Sequence, residues 1–191
     1  MPRSERLPPC VVALAGRRID AAGAPHACFP LANVELVARR IRRALRRSHA
    51  VALVCSAACG ADLVALDVAA ELGLRRRIVL PFDAQRFSET SVRDRPGDWM
   101  PAFVRHLDAC AREGGLTTLP GTGDDERDYQ AANEAILDEA QALARRDHAS
   151  PLPVLAFAVW DRRPRPEGDA TAAFLRLAML RDFGVLTVWS L

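Results

Sequence analysis

The stretch Val54-Cys55-Ser56-Ala57-Ala58-Cys59-Gly60-Ala61-Asp62 leads from an apolar run through small residues into a helix-like pattern, and it ends on a carboxylate. A strand, a tight small-residue turn and a helix N-terminus present backbone N–H groups to an anion, a common way to hold phosphate. Asp62 complicates that chemistry, because a carboxylate repels phosphate yet accepts hydrogen bonds from sugar hydroxyls. In a first helical turn it is equally a cap or a partner of the helix dipole. Comparable groups follow other apolar runs: Gly16, Arg17 and Asp20 after the first, Asp161 after the fifth, with Gly168 and Thr171 just beyond. Backbone amides at Ser56, Gly60, Ala61 and Gly168, the Arg17 guanidinium and the Thr171 hydroxyl suit a phosphate, while Asp20, Asp62 and Asp161 suit ribose hydroxyls. As general acid or base the candidates are Asp62, Asp67 and Asp20.

Other chemistries find less support. The histidines His26, His49, His106 and His148 have no adjacent Ser, Cys or Asp pattern of a catalytic triad. All 26 basic residues are arginine, which excludes a Schiff-base or P-loop lysine. Cys10, Cys28, Cys55, Cys59 and Cys110 are odd in number and mostly embedded in apolar runs, as buried free thiols of a reducing compartment would be. The spacing of His26, Cys28, Cys55 and Cys59 is not that of a zinc knuckle, so no metal is expected. Asp124-Asp125-Glu126 reads as a solvated turn before a helix rather than a cation site.

Positioning such groups requires alternating elements. Consecutive apolar residues at 10–15, 50–55, 77–80, 116–119, 154–159 and 185–189 predict strands covered on both faces. Helical periodicity falls at about 33–47, 61–72, 99–112, 127–146 and 169–182. The expected fold is α/β, a Rossmann-like doubly wound and mainly parallel sheet of about six strands with helices on both faces. The long segment PFDAQRFSETSVRDRPGDW after the third strand reads as a loop carrying Arg86, Ser91, Arg93 and Arg95. In the fourth helix Tyr129 and Asn133 share a stripe with Ile136, and an amide there needs a hydrogen-bond partner in backbone or pocket.

The 191 residues suit one domain, with no linker or repeat to divide them. A net charge of +2 gives no global field demanding nucleic acid or membrane. The first helix gathers Arg39, Arg40, Arg42, Arg43, Arg46 and Arg47 opposite its apolar stripe. That face reads as solvated rather than as a nucleic-acid grip, since no aromatic residues are interleaved. The opening residues lack an apolar signal core and no run approaches a membrane span, so a cytoplasmic location is expected.

The motifs VVALAGRRID, FP, ACGADLVALDVAAELG, VLPF, F-x-x-x-SV, W-x-x-x-F, a Tyr-x-x-x-Asn helix and AVWD carry a resemblance across nearly the whole chain. Together they resemble the SLOG superfamily, the Rossmann-like group that includes the cytokinin-activating LOG enzymes and the DNA-processing protein DprA. The likeness is greatest to a bacterial branch that opens on Gly-His-Arg and carries Ala-Cys-Gly-Ala-Asp. It implies a nucleotide or nucleotide-derived ligand over the carboxyl edge of the sheet, with no cofactor required. Members act as nucleotide enzymes, as sensors beside fused or neighbouring effectors, or as DNA binders, and dimers are common among them. Arg17 stands where a histidine is usual, and the customary Gly-Gly-Thr turn is Glu167-Gly168-Asp169-Ala170-Thr171. LOG-type phosphoribohydrolases carry a glutamate three residues after that threonine. Phe174 occupies the position here, so LOG hydrolysis is not expected and a signalling or sensing module is.

Overall fold

The computed structural model describes residues 8–146, 150–165 and 168–191; His148 and Glu167, singled out above, lie outside the described residues. Each of the six apolar runs forms a strand: β1 (Cys10–Gly16), β2 (Ala50–Cys55), β3 (Arg75–Leu80), β4 (Leu116–Thr118), β5 (Val154–Trp160) and β6 (Gly184–Trp189). All are parallel, in the order β4-β3-β2-β1-β5-β6. Strands buried on both faces need no polar alternation, and the period of two then sorts side chains between layers. Along β1, Cys10, Val12 and Leu14 join one core layer, while Val11 and Ala13 join the other.

Among the described residues six α-helices cover the sheet: α1 (Val34–Arg47), α2 (Ala61–Glu71), α3 (Ala84–Ser91), α4 (Met100–Arg112), α5 (Asp125–Arg145) and α6 (Ala170–Leu180). Residues of α1, α2 and α4 such as Ile41, Leu66 and Phe103 fill the first layer, and Leu137 of α5 with Phe174 of α6 fills the second. The α3 segment departs from expectation. Residues 84–91 were expected as loop, but Asp83 accepts the Arg86 N–H at 2.9 Å and caps a helix that buries Phe87, Ser88 and Ser91. β3 also begins two residues earlier than its apolar run, because Arg75 and Arg76 continue the pairing with Ala52 and Leu53.

From β1 the chain builds outward to β4, then α5 carries it back to place β5 on the other side of β1. The reversal between β1 and β5 opens a crevice above their carboxyl ends. Two glycines allow the close packing around it. A Cβ on Gly16 would lie 2.4 Å from the Ala61 Cβ and 2.7 Å from the Val159 carbonyl oxygen. Gly60 has φ +110°, and a Cβ there would lie 2.8 Å from both the Arg17 carbonyl oxygen and the Ile19 nitrogen. Gly16→Ala is expected to lower unfolding stability by about 1–3 kcal/mol through overpacking, read as a lower urea midpoint at unchanged slope. Among the described residues, no helix is long and apolar enough to cross a membrane.

Candidate functional site

A cavity of about 540 Å³ occupies the crevice, walled by the loops after β1, β2, β3 and β5 and by one face of α5. Gly16, Arg17, Asp20, Ser56, Asp62, Gly168 and Thr171 all line it. Gly60, Ala61, Asp161 and Asp67 do not. For Gly60 and Ala61 the reason is local: Gly60 bridges Arg18, and the Ala61 N–H donates to the Arg17 carbonyl at 3.1 Å. The small residues of that turn thus admit a neighbouring backbone segment, and the Ala61 amide is directed at the Arg17 carbonyl.

Arg17 and Asp161 are likewise taken up by each other. The Arg17 Nε donates to Asp161 Oδ1 at 2.9 Å, Nη1 to Asp169 Oδ1 at 2.9 Å and Nη2 to the Arg163 carbonyl at 2.6 Å. Arg17 is 3% exposed and Asp161 2%, so this is a buried clamp tying the end of β1 to the loop after β5. A guanidinium already neutralised by two carboxylates has little left for the phosphate that its sequence position suggested. Burial works against the Arg17 charge, but the hydrogen bonds and charges of Asp169 and Asp161 outweigh it and raise its pKa. For Asp169 burial pushes the carboxyl upward, yet the Arg17 guanidinium and the Ala172 and Arg165 amides hold it below its ordinary value.

Asp169 is the residue of this loop that sequence reasoning did not select. It caps α6 by accepting the Ala172 N–H at 3.0 Å, and it accepts the Arg165 N–H at 2.9 Å. The Asp-x-x-Ala spacing before a helix could have shown the cap, though not the clamp. The N–H groups of Ala170 and Thr171 and the Thr171 hydroxyl make no hydrogen bond among the described residues, and both residues line the cavity. Arg165 lines it as well, beside the Cys28 thiol, and pairs with no carboxylate among the described residues. Together these form an electropositive wall.

Asp62 stands at another wall. The first six residues of α2, 61–66, are all buried, which carries Asp62 inward with its apolar neighbours. The carboxylate is 6% exposed, accepts only the Ala58 N–H at 3.2 Å, and has no cationic partner among the described residues. Burial pushes its pKa up to about 7, with the Ala58 hydrogen bond opposing the rise. Ser56, on the same turn, has a buried hydroxyl oxygen without a hydrogen-bond partner among the described residues. An acid of this kind holds or releases a proton near neutrality, as a general acid or base must.

The remaining candidates have structural duties. Asp20 accepts the N–H groups of Cys28 at 3.0 Å and Phe29 at 3.0 Å, closing the 20–29 loop over one side of the cavity. Asp67 braces α2 against α4 through His106 Nε2 at 2.8 Å and Arg105 Nη2 at 2.6 Å. Burial raises the Asp67 carboxyl, but those two partners bring it below its ordinary value. On α5, the Tyr129 hydroxyl lies 2.6 Å from Ser91 Oγ, and Asn133 Nδ2 donates to the Ala170 carbonyl at 3.0 Å. The Asn133 amide therefore meets both alternatives, a backbone partner and the cavity it lines. Among the described residues, no group of three His, Cys, Asp or Glu side chains converges on a metal position.

A scan against protein-family models finds no match to the chain, and a search of curated proteins finds none either.

Proposed function

We propose that this chain binds a nucleotide or nucleotide-derived small molecule in the cavity between β1 and β5, as a signalling or sensing module of the SLOG type. The observation that carries the proposal is one cavity combining α6 amides unpartnered among the described residues, the Thr171 hydroxyl and Arg165 with the apolar and aromatic surfaces of Phe87, Tyr129 and Ile136. A phosphate suits the first set and a base the second. Its volume lies in the range of small-molecule sites, about 300–1,000 Å³. Phe174, at the position of the LOG glutamate, is 0% exposed in the α5–α6 core and outside the cavity wall, which supports binding over LOG-type hydrolysis.

The test is a thermal-shift panel of nucleoside mono-, di- and triphosphates, cyclic nucleotides and dinucleotides. At about 100 times its Kd a ligand stabilises by about 2.7 kcal/mol, equivalent to a Tm rise of about 5–10 °C for a domain of this size. A flat response across the whole panel would sink the proposal.

Asp62 favours a second function, cleavage of a nucleotide or its derivative with this carboxyl as acid or base. That function predicts free base or ribose phosphate released from a mixed nucleotide pool. Undiminished turnover by Asp62→Asn would remove Asp62 from the chemistry.

A further inference from the structure

β6 ends the sheet on the β5 side, so one of its edges has no strand beside it among the described residues. Ser190 donates its N–H inward to the Trp160 carbonyl at 3.3 Å, which by alternation turns the backbone groups of Val185, Thr187 and Trp189 to the open edge. The Trp189 carbonyl agrees with this parity, since it accepts from Arg40 Nη1 at 2.9 Å from outside the sheet. Open edges are ordinarily blunted by charges, proline or bulges. β6 carries none of these within Gly184–Trp189, and it exposes Val185 by 44% and Trp189 by 40%.

Beside this edge lies a groove of about 560 Å³ between α1 and β6, with Leu36, Leu186 and Val188 among its walls. Arg39, Arg43 and Arg47 line it at every fourth residue, about 6 Å apart along a helix. All three are exposed, none pairs with a carboxylate among the described residues, and no acidic residue lines the groove. Arg42, which does not line it, is by contrast paired with Glu71. Like charges four residues apart disfavour a helix, so an anionic occupant relieves a repulsion that the fold leaves standing.

We propose that this edge docks an extended acidic segment of a partner protein as a seventh strand. Alternate side chains of a strand stand about 6.6–6.8 Å apart, close to the spacing of the arginine row. Acidic side chains on one face of the added strand meet Arg39, Arg43 and Arg47, and apolar ones on the other face cover Val185 and Trp189. Its main chain pairs with the outward groups of β6, as in other strand additions. Nucleic acid suits the groove less, because Trp189 is the sole aromatic side chain lining it. A second copy pairing edge to edge would set arginine row beside arginine row.

A fluorescein-labelled nonapeptide of alternating Glu and Val, followed by fluorescence anisotropy, tests the proposal. Saturable binding is expected, at least tenfold tighter than for the same residues rearranged as a glutamate block followed by a valine block. The combined variant Arg39→Gln/Arg43→Gln/Arg47→Gln should lose at least tenfold. Thr187→Pro removes one outward N–H where an edge strand tolerates proline, and it should lose as much. The arginine variant decides alone if the proline variant does not fold. Equal binding of the block and alternating peptides, retained binding by the arginine variant, or tighter binding of an oligo-dT 20-mer would each overturn the proposal. So would self-association of the free chain abolished by Thr187→Pro.

Discussion

Replacing Arg17 with alanine is expected to lower unfolding stability by about 3–5 kcal/mol, the usual consequence of stranding buried charge. Its three hydrogen bonds reach Asp161, Asp169 and the Arg163 carbonyl, so one deletion strips partners from three groups in the loop after β5. Asp161, at 2% exposure, has no other cation within salt-bridge distance among the described residues. The pH dependence separates this mechanism from simple loss of packing. In the native chain Asp169 titrates below its ordinary value, so its stabilising contribution is present above the unfolded pKa and disappears as pH falls through the folded one. Without Arg17 only the Ala172 and Arg165 amides oppose burial at Asp169, and protonating it relieves the strain. The deficit of Arg17→Ala should therefore be largest near pH 7 and shrink toward pH 4 in urea titrations. A deficit constant over that range would mean that the clamp acts through shape and not charge.

Asp62→Asn is expected to do the opposite and raise stability at pH 8 by about 2–4 kcal/mol. In the folded chain this carboxyl titrates at about 7, against about 3.9 when unfolded. Below about pH 3.9 both states are protonated and the site carries no penalty. Between about 3.9 and 7 the unfolded chain releases its proton while the folded chain keeps it, so stability falls as pH rises. Above 7 the full penalty applies. The asparagine oxygen still accepts the Ala58 N–H, and no proton need be released. The gain should vanish near pH 4, and a gain independent of pH would show that ionisation is not its origin. If the variant is more stable yet not shifted by a nucleotide found to stabilise the native chain, the carboxylate is maintained for its site against the interest of the fold.

How far the sequence announces these features differs by kind. Strands buried on both faces are written as consecutive apolar residues, and all six were legible at their positions. α3 was not, because an eight-residue helix with Phe87 as its one large apolar side chain has no room to show a period; only the Asp83 cap hinted at it. The loops that border the cavity were legible from the rule that ligands gather at strand carboxyl ends. Which groups in those loops remain available was not. Arg17, Asp161 and Asp169 become neighbours only once β5 lies beside β1, and a sequence shows the type of a guanidinium but not its partner. Gly60 was read as room for an anion, whereas its space is filled by the backbone of Arg17 and Ile19. Asp62 was visible as an acid in the turn. Its burial follows from the whole first half of α2 being enclosed, a property of packing and not of the turn.

The placement of β5 against β1 also orders events in time. Gly16 ends β1 early in the chain, whereas its neighbour across the crevice ends at Trp160. During synthesis at about 5–20 residues per second, the centre of the sheet waits roughly 7–30 s for its second flank. Throughout that interval β1, whose side chains are all apolar, keeps one edge of unpaired backbone groups, and neither the clamp nor the cavity can exist. Any ligand of the cavity would thus be met late in the life of the nascent chain, and a ribosome-stalled fragment ending before β5 should be aggregation-prone.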